Sequence, residues 1–236
     1  MSAGEILTKA CEFDKAGRYL EAVKLYQDGI RKLLDICKSE QDSTKKKHFH
    51  VKAKEYVTRA EELQTKLDTI YSKGEVIDRI PIANGSTGNS YKSLFGKYMD
   101  NNVKEILIED TYIREHFQIQ NLIMFLELAI KKCKSLKYVK LKTTPADIKS
   151  TLEQQQNAFK SIASDLQKRG VVFEAEFSTS MHDREILLGN GYIISIGRGL
   201  DMYKPLTNKY SLGMMDYDFR ECKETKIDIF KYRICQ

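Results

Sequence analysis

For its first 75 residues the chain carries no proline, and its apolar residues recur at helical spacing. Ile6, Leu7, Ala10 and Phe13 mark a first amphipathic helix over about residues 4–16, with Gly17 as its stop. A second stripe runs Tyr19, Ala22, Val23, Tyr26, Ile30, Leu33, Leu34 and Cys37, and the polar residues 39–44 close it. A third stripe runs Ala53, Tyr56, Val57, Ala60, Leu63, Leu67 and Ile70. Each stripe must be buried, and short loops make neighbouring helices antiparallel. The reading is an antiparallel three-helix bundle over residues 1–73.

The pattern changes after residue 73. Residues 74–90 hold Pro81 and three glycines (Gly74, Gly85, Gly88) and read as a linker. Beyond them, over 91–236, strands and helices alternate. Strands are predicted at Val103–Glu109, Tyr138–Lys142, Val171–Phe177 and Gly191–Ile196, and helices at Gln118–Lys132 and Ile148–Arg169, the second ended by Gly170. That order is α/β, with a mainly parallel sheet as its default. The fold class is therefore multidomain, α followed by α/β, which suits a chain of 236 residues.

Several classes are excluded. No apolar run approaches the roughly 20 residues of a bilayer-spanning helix. The first 15 residues carry charges every few positions and lack the apolar core of a signal peptide. Cys11, Cys37, Cys133, Cys222 and Cys235 are odd in number and scattered, as expected of reduced thiols in the cytoplasm. None pairs at metal-ligand spacing, so neither a metal nor another cofactor is expected. A net charge of +6, spread evenly over both halves, places any anion site in a local patch.

Three groups of residues can carry function. On the third helix, Val57 lies one position beyond Tyr56, hence about 100° around the axis from it. Glu61 and Gln64 continue that face. An apolar spot beside an acid suits a basic amphipathic partner helix, and a partly covered surface valine is the alternative. The segments Ala10…Asp14-Lys15-Ala16-Gly17-Arg18-Tyr19-Leu20-Glu21-Ala22…Leu25-Tyr26 and Tyr56-Val57-Thr58-Arg59-Ala60-Glu61 resemble a MIT (microtubule-interacting and trafficking) domain. Tetratricopeptide arrays share this helix-turn-helix pattern, but they need about three repeats and this chain has one. The resemblance implies that C-terminal helices of ESCRT-III subunits bind between the second and third helices. It places Leu33, Cys37, Val57 and Glu61 in that groove, with Glu61 meeting a basic residue of the ligand.

The second group is Ser180-Met181-His182-Asp183-Arg184-Glu185, followed by Gly197-Arg198-Gly199. It resembles the H-x-K-x-x-x-x-D motif of the phospholipase D superfamily, in which the His attacks phosphorus, the Lys neutralises phosphate oxygens and the Asp orients the imidazole. Here Arg184 stands at the Lys position and Gly189 at the Asp position. Arginine still binds phosphate bidentately, but the orienting carboxylate is gone. No catalytic residue is assigned. Three readings stay open for His182: a structural loop residue, an anion contact, or the nucleophile of a dimeric phosphodiesterase.

The third group is the run 131–142, with six lysines and no acid. Lys140 and Lys142 alternate with Val139 and Leu141, so they share one strand face. A solvated face, an anionic membrane and a nucleic acid are the three readings, the last disfavoured by the absence of any recognition motif. The anion-facing set is Lys140, Lys142, His182, Arg184 and Arg198.

Further blocks, Tyr91–Phe95, Ile108–Arg114, Tyr210–Gly213 and Asp216–Arg220, extend the resemblance along the chain to the family of MIT proteins with a C-terminal phospholipase D-like domain. The resemblance implies an adaptor without lipase activity. Its C-terminal domain would form a homodimer and bind acidic phospholipid, with no nucleic acid involved. It also implies a cytoplasmic, peripheral membrane protein of the midbody and late endosome, acting in cytokinetic abscission.

Overall fold

The computed structural model describes residues 1–71, 74–178, 184–206, 208 and 210–232. The chain divides into two compact units, Met1–Ser72 and Lys73–Gln236.

The first unit is three helices, α1 (Ala3–Lys15), α2 (Tyr19–Ser39) and α3 (Ser43–Tyr71). Ser2 and Glu5 form a reciprocal capping box at the start of α1, which satisfies backbone donors that have no helical partner. The predicted stripes meet in one core that contains Leu7, Ala10, Ala22, Tyr26, Leu33 and Leu63. Arg59 ties α3 to α1 with a fork onto Asp14, Nε to Oδ2 at 2.7 Å and Nη2 to Oδ1 at 2.9 Å. The Tyr26 hydroxyl lies 3.3 Å from Cys11 Sγ and 3.4 Å from Asp14 Oδ2, so all three helices share one polar junction beside the core.

The second unit opens with β1 (Glu75–Ile82) and a short helix α4 (Tyr91–Phe95). It continues with β2 (Glu105–Glu109), α5 (His116–Lys132), β3 (Tyr138–Thr143), α6 (Lys149–Gln167) and β4 (Val172–Phe177). The strands β5 (Glu185–Leu188), β6 (Tyr192–Ile196) and β7 (Thr225–Lys231) complete it. The sheet order is β1-β7-β6-β5-β2-β3-β4.

Two expectations are corrected here. Among the described residues, only β2, β3 and β4 pair in parallel, through the crossovers α5 and α6, and the other neighbours are antiparallel. For β5 and β6 the reason is the tight turn at Gly189–Gly191, since a connection that short can only reverse the chain. Residues 75–82, read as linker, form an edge strand on β7. An edge position tolerates Pro81, which has no N–H to give to a further strand.

Alternation along the strands builds the main core. Ile106, Ile108, Val139, Leu141, Ile186 and Leu188 are buried in one cluster with Leu122, Phe125 and Ala129 of α5 and Phe159 and Ile162 of α6. The alternate residues Glu109, Lys140 and Lys142 belong to the other face. Among the described residues, no helix is long and apolar enough to cross a membrane.

Candidate functional site

The first surface is a groove of about 400 Å³ between α2 and α3. Gln27, Ile30, Arg31 and Leu34 line one wall, and Val57, Ala60, Glu61 and Gln64 line the other. Both sets recur at three- and four-residue spacing, which keeps each on one helix face. Val57 is half-buried against the bundle core, whereas Glu61 is exposed. Arg31 is loosely held by Asp28 at 3.4 Å on the opposite wall. The groove thus offers an apolar floor with a carboxylate on its α3 rim.

Val57 and Glu61 fall where the sequence places them. Leu33 and Cys37 do not line the groove. Leu33 is buried in the bundle core, and Cys37 is buried with its Sγ 3.5 Å from the Lys46 carbonyl. Two adjacent residues lie about 100° apart on a helix, so Leu33 and Leu34 cannot both face inward. Leu33 takes the core, and Leu34, 36% exposed, opens onto the groove. The adjacent apolar pair itself was the signal.

The second surface is the end of the sheet near β5. His182 lies outside the described residues, as does the rest of 179–183. Arg184 donates from Nη1 to the Gly197 carbonyl at 2.6 Å, and its guanidinium lies 4.7 Å from the centre of the Tyr112 ring. Arg198 donates from Nε to the Glu224 carbonyl at 2.9 Å. Both side chains brace the turn after β6. At Gly189, a side chain's Cβ would stand 3.0 Å from the Glu105 carbonyl oxygen, so the backbone there approaches too closely for an aspartate without a local shift.

The same turn is anchored from below by Asp110, which is 2% exposed. Its Oδ2 accepts from the Leu200 N–H at 2.7 Å and its Oδ1 from the Tyr112 N–H at 3.0 Å. Desolvation raises its pKa above the usual carboxylate range, and these two N–H donors act against that rise. Tyr91 donates to the Leu200 carbonyl at 2.5 Å. Both Asp110 oxygens are therefore occupied by backbone, which makes this a structural latch. Among the described residues, no group of three or more His, Cys, Asp or Glu side chains is placed to hold a metal ion.

Lys140 and Lys142 correct another expectation. They share one strand face, but Lys140 pairs with Glu176 at 2.7 Å and Lys142 with Glu109 at 2.9 Å, carboxylates of the flanking strands. Their charge is locally neutralised. The rest of the run is different. Lys131, Lys132, Lys134 and Lys137, at the end of α5 and in the loop after it, are exposed and form no ion pair among the described residues. Of this run, the lysines left with unpaired charge are those at the end of α5 and in the loop after it.

Comparison with known proteins agrees with this division. The model of the MIT (microtubule interacting and transport) domain family matches residues 1–65. A second family model, the phospholipase D-like domain at the C-terminus of MIT, matches residues 88–231. MIT domain-containing protein 1 of Mus musculus is 39% identical over 229 residues, which span 97% of this chain and 92% of the mouse protein.

Proposed function

The chain belongs to the family of MIT proteins that carry a C-terminal phospholipase D-like domain, and from that membership we propose that it is an ESCRT-III adaptor. The α2–α3 groove receives the C-terminal helix of an ESCRT-III subunit. Apolar side chains of the ligand rest on Ile30, Leu34, Val57 and Ala60, and a ligand Lys or Arg meets Glu61. The observation that carries this reading is the groove itself: an apolar floor with an exposed acid on one rim, inside a segment that matches the MIT family.

The second unit forms a homodimer and rests on acidic phospholipid without turning it over. Gly189 in place of the orienting aspartate, and Arg184 committed to a backbone carbonyl, support a non-catalytic role. The exposure of Lys132, Lys134 and Lys137, which form no ion pair among the described residues, supports contact with lipid headgroups there. A helix in a shallow groove binds weakly, but two bundles per dimer facing a polymer of tails gain about 10²–10⁴ in avidity. Such an adaptor suits abscission, at the midbody and on late endosomal membranes.

The test is titration of the full chain with ESCRT-III C-terminal peptides, read by fluorescence anisotropy. Micromolar binding is expected, weakened about tenfold or more by Val57→Asp and by Glu61→Lys. Glu61 is exposed, so its reversal leaves the bundle folded, as circular dichroism will show. Binding unchanged by both substitutions would move the site away from this groove.

A further inference from the structure

A second groove, about 820 Å³ in volume, lies between α5 and α6. Its floor is apolar. Leu126, Ile162 and Leu166 are buried, Ile130 is half-buried, and Ile123 is 39% exposed. The floor extends from Ile123 to Lys131 on α5, about 12 Å at 1.5 Å per residue, and a similar length of α6 faces it. That is the length of two to three helical turns.

The rims carry opposite charges in unequal number: Lys131, Lys160, Lys168 and Arg169 against Glu127 and Asp165. Asp165 is already held by Lys168 at 3.3 Å and Arg169 at 3.0 Å. Lys131 and Lys160 stand on opposite helices and form no ion pair among the described residues. The groove is thus a recessed apolar strip whose rim is net positive, with Lys160 unpaired on α6 and Lys131 on α5 one turn from the exposed Glu127. A bilayer could reach that floor only by burying both ammonium groups, which is costly. A rod of helical diameter reaches it while leaving them at the edge.

We propose that the α5–α6 groove is a second docking site whose occupant is an acidic amphipathic helix of a partner protein. Its apolar stripe covers Ile123 and Ile130, and its flanking carboxylates pair with Lys131 and Lys160. The charge preference is opposite to that of the α2–α3 groove, so the two sites select different ligands.

The experiment uses the full chain carrying Val57→Asp, so that the α2–α3 groove is disabled. The probe is a labelled helical peptide of about 14 residues, leucines at i, i+4, i+7 and i+11, flanked by glutamates. A second peptide has lysines in place of the glutamates. The acidic peptide is expected to bind at least about tenfold tighter than the basic one, and Lys131→Glu/Lys160→Glu is expected to reverse that preference. Equal affinities, no measurable binding of the acidic peptide, or indifference to the double reversal would each overturn the proposal. So would a double variant that loses phosphatidylserine vesicles yet keeps the peptide, since the groove would then be a membrane contact. Because the background lacks the α2–α3 groove, these outcomes stand apart from the ESCRT-III reading.

Discussion

Replacing Gly199 by alanine is expected to destabilise the C-terminal unit by about 3–4 kcal/mol. Gly199 has φ +61°, a left-handed conformation that disfavours an alanine by about 1–2 kcal/mol. The larger effect is contact. The new Cβ would lie 2.1 Å from Asp110 Oδ2 and 2.6 Å from Asp110 Cγ. That carboxylate cannot retreat, because it is 2% exposed and held by the Leu200 and Tyr112 N–H groups. Relief of the clash breaks at least one of these bonds and leaves a buried acceptor or donor unsatisfied. Gly170 supplies the control: its φ is +74° and its Cβ direction is open, so Gly170→Ala should cost only the backbone preference, about 1–2 kcal/mol. Urea unfolding followed by tyrosine fluorescence compares the two. Equal losses would show that the Asp110 latch contributes nothing beyond backbone preference.

A triple substitution, Lys132→Gln, Lys134→Gln and Lys137→Gln, is expected to weaken binding to phosphatidylserine vesicles about 100-fold. Each exposed lysine near an anionic surface contributes about 1 kcal/mol, and the three act together within one Debye length of the membrane. The matched control is Lys140→Gln/Lys142→Gln. Those two ammonium groups face Glu176 and Glu109, so their loss should change vesicle affinity by less than about threefold. Sedimentation at low and physiological salt reads both variants. A control that loses vesicle binding while the triple variant keeps it would return the lipid surface to β3.

The contrast between these lysines shows where sequence reasoning stops. The alternation Val139, Lys140, Leu141, Lys142 states which face the lysines take, because side chains alternate along any strand. It does not state what lies beside them. That depends on register, with Lys142 opposite Glu109 on one flank and Glu176 on the other. Register is a property of three segments far apart in sequence. The bundle was more legible because helical periodicity is local: most of the described stripe residues of α1, α2 and α3 are in the core, and Val57 and Glu61 are on the groove. The resemblance placed Leu33 on the groove, whereas Leu34 lines it, and the stripe, equally apolar at both positions, does not choose between them. Strand β1 was hidden by Pro81 and the glycines around it, which read as linker until β7 is there to pair with it. The α5–α6 groove had no sequence signal, since it needs two crossovers laid side by side.

In the proposed adaptor, one chain joins a helix-binding groove to a lipid-binding unit. The most direct measurement is recruitment of a fluorescent ESCRT-III C-terminal peptide to phosphatidylserine vesicles by the full chain. The peptide is expected to co-sediment only when the chain is present. Val57→Asp should release the peptide while the chain stays on the vesicle, and the Lys132, Lys134 and Lys137 triple variant should release both. Peptide and vesicle competing for the chain, so that each displaces the other, would contradict the adaptor role.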